Sequence, residues 1–301
     1  HHTNAFTFGA IPLFLGTVVD YYALYNQKAC FSISSRTATY FFCSFPLTGL
    51  CFCIFFALYS NFEKATETHC HIYNVLPSIS VAIGDFYWGR LIWRILILSH
   101  LVPRVLAAFA YAQLFKVPLE TILLTTFRYL TCFFNLLELF CLAVVSVISS
   151  KDNHFRHVFA FSIFQIAGMI HGVLHIIMYR LTGIRDYSIH TRKSYRMTHV
   201  LIIFMRKIDE LFMGEYVFHE HQTKPSTLSK QLNVTKVKKT CYKWSLLFLA
   251  ICAILYYRHN SRCEPYVFSA FALFEYLVVL TNICFHATFR FDFYGLRIFV
   301  F

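Results

Sequence analysis

The sequence predicts an all-α, polytopic membrane helix bundle of about six transmembrane helices, and three observations carry that prediction. Apolar residues dominate: 57% are hydrophobic and the mean hydropathy is +0.55. Only 14% of the 301 residues are charged, against roughly a quarter in soluble domains, too few to cover a water-facing surface. The apolar residues also gather into runs of the length a bilayer demands. A hydrocarbon core about 30 Å thick needs about 20 residues at a helical rise of about 1.5 Å.

Taken in order, the runs lie near 41–60, 87–112, 119–148, 156–180, 242–257 and 265–289. The fifth is short, but Tyr242-Lys243-Trp244 before it and Tyr256-Tyr257 at its end supply interfacial anchors. A further apolar stretch at 5–24 carries Pro12 and Asp20 and reads as either a seventh span or an interfacial helix. The 35 Phe and 19 Tyr suit lipid-facing and interfacial positions.

The net charge of +12 is concentrated, with 13 of the 27 Lys and Arg falling between Arg180 and Lys243. That pattern fits membrane orientation and excludes nucleic acid as the expected partner. By the positive-inside rule the 181–241 loop is cytosolic. Six spans then put both termini in the cytosol and the 61–86, 149–155 and 258–264 loops in the lumen. Asn233-Val234-Thr235 is a glycosylation sequon on the unglycosylated side. The chain starts His1-His2 without Met and reads as a fragment, so no targeting signal is taken from it.

Two lumenal loops each hold a Cys, a His and an acid. The first contains Glu67, His69, Cys70 and His71, and the last His259, Cys263 and Glu264. In an oxidising lumen Cys70 and Cys263 are the natural disulfide pair, the alternative being two free thiols. His69, His71 and His259 are weak metal signals without a second tight ligand pair, and His71 reads as a solvated loop histidine.

Charges inside the spans are the stronger signal, each costing at least about 2.5 kcal/mol at mid-bilayer. They are Arg94, Arg104, Arg128, Glu138 and Glu275, accompanied by His100, His171, His175 and His286. Counting about 1.5 Å per residue puts Arg94, Glu138 and Glu275 at depths where one acid–base group can form under the lumenal loops. It puts Arg104 and His286 near the cytosolic face. The competing reading is that these groups pair only to hold the bundle together. His171 and His175, at i and i+4, share a helix face and are expected in core hydrogen bonds rather than on a metal. No G-x-S-x-G, His-Glu-x-x-His or phosphate-binding Gly loop occurs. Ser78 and Ser80 lie near His69 in sequence, with no spacing that marks a nucleophile and its base.

Several separated motifs, in order, resemble the post-GPI attachment to proteins factor 2 family. They are Thr68-His69-Cys70 and Asn74-x-Leu76-Pro77-Ser78-x-Ser80, then Trp93-Arg94, His100-x-x-Pro103-Arg104 and Asn135-x-x-Glu138. Further on come Arg180-Leu181-Thr182, Arg258-His259-Asn260-x-x-Cys263-Glu264, Glu275-Tyr276, Thr281-Asn282 and Phe285-His286. A looser likeness extends to the damage-regulated autophagy modulators. The match covers 40–295 as one six-span domain. It leaves 1–39 and the tail 296–301 outside, and 197–240 reads as an insertion.

The resemblance implies fatty-acid remodelling of GPI anchors on lyso-GPI anchored proteins, in the lumenal leaflet of the Golgi membrane or also the endoplasmic reticulum. The chain would be an acyltransferase or an accessory subunit of one. The implied partners are the GPI-anchor lipid and an acyl-donor lipid or acyl-CoA, with no cofactor and no metal. Glu138, His171, Glu275, His69 and His259 are then the catalytic candidates. Arg94, Arg104, His100, Asn282 and His286 are the substrate-binding candidates. The alternative is a non-enzymatic lysosomal or plasma-membrane regulator like the autophagy modulators.

Overall fold

The computed structural model describes residues 6–8, 31–117, 121–182, 234–293 and 297–300. Six long helices dominate them: α1 (Ser35–Ser60), α4 (Tyr87–Leu114), α5 (Ile122–Val147), α6 (His154–Leu181), α7 (Val234–Arg262) and α8 (Val267–Ala287). All six are long and apolar enough to cross a membrane, so the chain is a multi-pass membrane protein. Short helices α2 (Phe62–Thr66) and α3 (Ile79–Gly84) lie between α1 and α4, and α9 (Phe289–Asp292) follows α8. Three short strands, β1 (Phe6–Phe8), β2 (Phe31–Ser34) and β3 (Arg297–Val300), form one sheet in the order β1-β3-β2. β3 runs parallel to β1 and antiparallel to β2. Apart from 6–8, the stretch weighed as a seventh span lies outside the described residues, as does most of the basic loop.

The helix starts follow capping chemistry. Ser34, Asn61, Ser78, Thr121 and Asn153 each accept a backbone N–H from the first turn of the helix they precede, satisfying donors that the helix itself leaves unpaired. The fifth span extends further than its apolar core, over 29 residues, because its first turns take in Lys236, Lys238 and Lys239.

One of those lysines points inward. Lys238 Nζ is 3.0 Å from Asp292 Oδ2, and the Tyr111 hydroxyl donates to the same oxygen at 2.5 Å. The rings of Tyr111, Tyr179 and Phe285 stand 5.1, 5.2 and 4.9 Å from Nζ, within cation–π range. Around this pair packs a cluster that includes Phe42, Phe115, Met178, Phe289 and Phe293. A second cluster at the other end joins Leu50, Cys53, Ile79, Ile83, Phe86, Trp93 and Ile97.

That other end is closed covalently, by a disulfide between Cys70 and Cys263, 193 residues apart. The described non-glycine residues with positive φ are all there: His71, Cys263 and Tyr266 at 49°, 48° and 63°. Such turns are disfavoured for side chains with a Cβ, and here they flank the bridge. From Tyr73 to Ile79 the chain lies on α8. Tyr266 N–H donates to Tyr73 O at 3.1 Å, and Ser269 Oγ accepts from Val75 N at 2.8 Å and Leu76 N at 3.3 Å. Glu275 Oε2 accepts from Ile79 N at 2.8 Å, and the Tyr276 hydroxyl donates to Pro77 O.

Candidate functional site

A cavity of about 140 Å³ lies inside the bundle, lined by all six long helices and by α3. Its walls are mostly apolar, with Phe42, Ile83, Trp93, Leu142, Phe161 and Val279 among them. On one side stand the polar groups of α4, α5, α6 and α8.

Glu138 on α5 is their centre. Its Oε1 accepts from Arg104 Nη2 and Asn282 Nδ2, each at 3.5 Å, and lies 3.8 Å from His286 Nε2. Its other oxygen is 3.1 Å from His171 Nδ1. The side chains of Glu138 and Arg104 are 2% and 5% exposed. A charge so deep is tolerable only with a matched and hydrogen-bonded partner. α6 packs against Glu138 at Gly168, where a Cβ would be in ordinary contact with Glu138 Cδ at 3.4 Å. His171 and His286 stack with centroids 5.9 Å apart. His171 Nε2 is buried and has no hydrogen-bond partner. With Nδ1–H held by the carboxylate, this Nε2 carries the free lone pair. His100 also lines the cavity, its Nδ1 bonded to Ile97 O at 2.7 Å.

The structure thus regroups the ionisable residues read from the sequence. Arg104 and His286, which residue counting carries toward the cytosolic ends of their spans, both reach Glu138. Residue counting ignored the reach of the arginine side chain, which carries its charge well beyond its Cα. Arg94 does not join Glu138. It sits at the disulfide end, 3.6 Å from Asp152 Oδ2 and donating to Val147 O at 2.5 Å. Asp152 there is held below the usual carboxylate range, first by the Ser149 hydroxyl and then by the Ser149 N–H, with Arg90 and Arg94 adding to it. Glu275 lines the cavity but serves Ile79 N–H rather than a cation.

His69 and His259 meet edge to face at 5.3 Å beside the disulfide. His259 is buried with both ring nitrogens unpartnered, and His71 is exposed next to Glu67. His175 makes no hydrogen bond through either ring nitrogen, contrary to the core bonding expected of it. It packs instead against Tyr111 and Phe115. Among the described residues, two groups offer metal-ligand atoms within 4.8 Å of one another: Glu138, His171 and His286, and His69, Cys70 and His259. In the first, Arg104 already balances the carboxylate, and in the second Cys70 is committed to the disulfide.

One pair escaped the sequence. Ser80 Oγ lies 3.1 Å from His157 Nε2, and His157 Nδ1 is 2.7 Å from Ile148 O. His157 opens α6 beside Arg156, and no spacing ties it to Ser80 seventy-seven residues earlier; only the packing of α3 on the α5–α6 turn does.

A family model described as the Frag1/DRAM/Sfk1/Cwh43P N-terminal domain matches residues 34–296. The chain is 32% identical over 258 residues to a Caenorhabditis elegans protein named post-GPI attachment to proteins factor 2, covering 84% of this chain and 83% of that one. It is 30% identical over 269 residues to a Xenopus tropicalis protein named acyltransferase PGAP2, covering 89% and 91%. A Drosophila melanogaster post-GPI attachment to proteins factor 2 is 28% identical over 255 residues, covering 85% and 84%. No solved structure matches.

Proposed function

The chain belongs to the Frag1/DRAM/Sfk1/Cwh43P family, and on that premise we propose that it remodels the fatty acids of GPI anchors, transferring an acyl group to a lyso-GPI lipid in the lumenal leaflet of the Golgi. The names of its relatives supply the substrate class. The observation that carries the reading is the cavity, with apolar walls and one charged floor on which Arg104 balances Glu138. Its volume of about 140 Å³ compares with an engineered cavity of about 150 Å³ that takes a benzene ring. It suits a few methylenes of an acyl chain and leaves the rest of the lipid and its glycan outside.

On this reading the floor orients the lipid. Arg104 and Asn282 fix Glu138, Glu138 fixes His171, and His171 Nε2 stays open to a hydrogen-bond donor inside the cavity. The basic segment between Arg180 and Lys243 keeps its end of the bundle cytosolic, so the disulfide end, with His69 and His259, faces the lumen. The acyl donor is a lipid of the same leaflet.

The test is complementation in cells that lack this remodelling. Expression of the chain is expected to restore surface retention of GPI-anchored proteins and the sn-2 acyl composition of their anchors. A chain that is expressed and membrane-inserted but leaves both unchanged overturns the reading and favours a non-enzymatic regulator.

A further inference from the structure

The pair formed by Ser80 and His157 has the geometry of an activated nucleophile, and the function proposed above does not use it. Ile148 O can only accept a hydrogen bond, so the 2.7 Å contact from His157 Nδ1 puts the ring proton on that nitrogen. In the neutral ring Nε2 is then an acceptor, and at 3.1 Å it faces the Ser80 hydroxyl. A hydroxyl, a basic nitrogen and a third group fixing the tautomer form the pattern of a serine nucleophile. Here a backbone carbonyl takes the place of the usual carboxylate.

Three further observations place the pair for work. Ser80 lines the cavity and is only half-buried, whereas His157 is buried. The segment carrying Ser80 is clamped to α8 by the Ser269, Glu275 and Tyr276 contacts just before it, so the hydroxyl is held in position. Its depth is also suitable. Ile148 lies ten residues beyond Glu138 on α5 and its end, about 15 Å toward the disulfide end at a rise of about 1.5 Å per residue. The charged floor is therefore deeper in the bundle, while Ser80 stands at the end of the cavity nearer the disulfide.

We propose that Ser80 is the nucleophile of a covalent acyl transfer with His157 as its base, an assignment that rests on the remodelling function. Ser80 Oγ attacks the ester carbonyl of a phospholipid donor while His157 Nε2 takes the hydroxyl proton. The donor's C–O bond breaks, its alkoxide leaves with that proton as a lysophospholipid, and the acyl group stays on Ser80 as an oxygen ester. The free hydroxyl of lyso-GPI then attacks the acyl-serine and gives its proton to His157. The Ser80 ester bond breaks and Ser80 regains the proton. No oxidant, metal or external acid is consumed.

The experiment uses the full chain, purified and placed in vesicles of phosphatidylcholine carrying a labelled sn-2 acyl chain. After acid quenching, the wild type is expected to retain label on the Ser80 peptide, released by mild alkali and stable to neutral hydroxylamine as an oxygen ester is. Ser80→Ala and His157→Ala are expected to retain under about one-hundredth of it, in line with the loss of a nucleophile or its base. Ser80→Cys is expected to restore a label that neutral hydroxylamine removes, which a merely structural serine would not do. It also decides the matter should Ser80→Ala fail to fold, as judged by protein yield and an intact Cys70–Cys263 bond. Ser162→Ala, on the exposed face of α6, serves as control. Wild-type remodelling without label on Ser80, or full remodelling by Ser80→Ala in the complemented cells, overturns the proposal and leaves the remodelling function standing. Absence of remodelling by the wild type overturns the function itself.

Discussion

Among the described residues the bundle buries the ion pairs Arg104–Glu138 and Lys238–Asp292, and surrounds them in different ways. Both are almost wholly hidden, at 5% and 2% exposure for the first and 1% and 2% for the second. The first stands at the edge of a cavity, among a stack of imidazoles with one unpartnered nitrogen on His171. The second is enclosed by the rings of Tyr111, Tyr179 and Phe285, and its carboxylate oxygen is taken by both the lysine and the tyrosine hydroxyl. Burial of charge is common to both, so it does not mark a functional site. Unpartnered polar atoms lie beside both, on His171 at the first and on His175 and Tyr179 at the second, so the adjoining empty volume is what distinguishes the first.

The largest effect that would test this contrast is expected at Glu138. Glu138→Gln keeps the shape but removes the charge that holds Arg104 and His171. It is expected to lower remodelling per surviving molecule about 100-fold, the usual consequence of misplacing an active group by an ångström, on top of the stability lost when Arg104 is left without its partner. Normal remodelling by this variant would put the cavity floor in the same class as the second pair.

Asp292→Asn is expected to cost stability alone. Removing one partner of a buried pair costs about 3–5 kcal/mol, read as a lower thermal midpoint and less protein in the membrane. The activity per surviving molecule is expected to be unchanged. Replacing both partners by apolar residues, Lys238→Met with Asp292→Leu, is expected to recover most of the loss. A drop in specific activity without a drop in stability would make the second pair functional too.

The smallest effect is expected at Arg94. At the half-exposed disulfide end its contact with Asp152 is a surface ion pair, weakened by solvent screening. Arg94→Ala is therefore expected to change remodelling by less than about fivefold. A complete loss would move the site from the floor to the rim.

The spans were legible in the sequence because a bilayer dictates length and polarity together, and a run such as 122–147 has few other uses. The start of α7 was not. Lys236, Lys238 and Lys239 read as loop, since a lysine folded back into aromatic rings leaves no trace in hydropathy. Glu138, Arg104, His171, His286 and Asn282 each stood out as polar groups in apolar surroundings. Their grouping did not, because it depends on the vertical offset between helices and on side-chain reach. His157 is the clearest loss, for its meaning lies entirely in what α3 brings beside it.

The disulfide has a consequence for the chain as a covalent object. It joins residues 193 apart in the sequence, and the 183–233 segment lies between them. A protease cutting within that segment breaks the polypeptide but not the molecule, because each fragment holds one half of the bridge. On a non-reducing gel the nicked protein stays whole, and reductant separates it into a piece bearing α1 to α6 and a piece bearing α7 and α8. The two pieces meet across the cavity, so the protein can in principle be cleaved and remain a single body around its site.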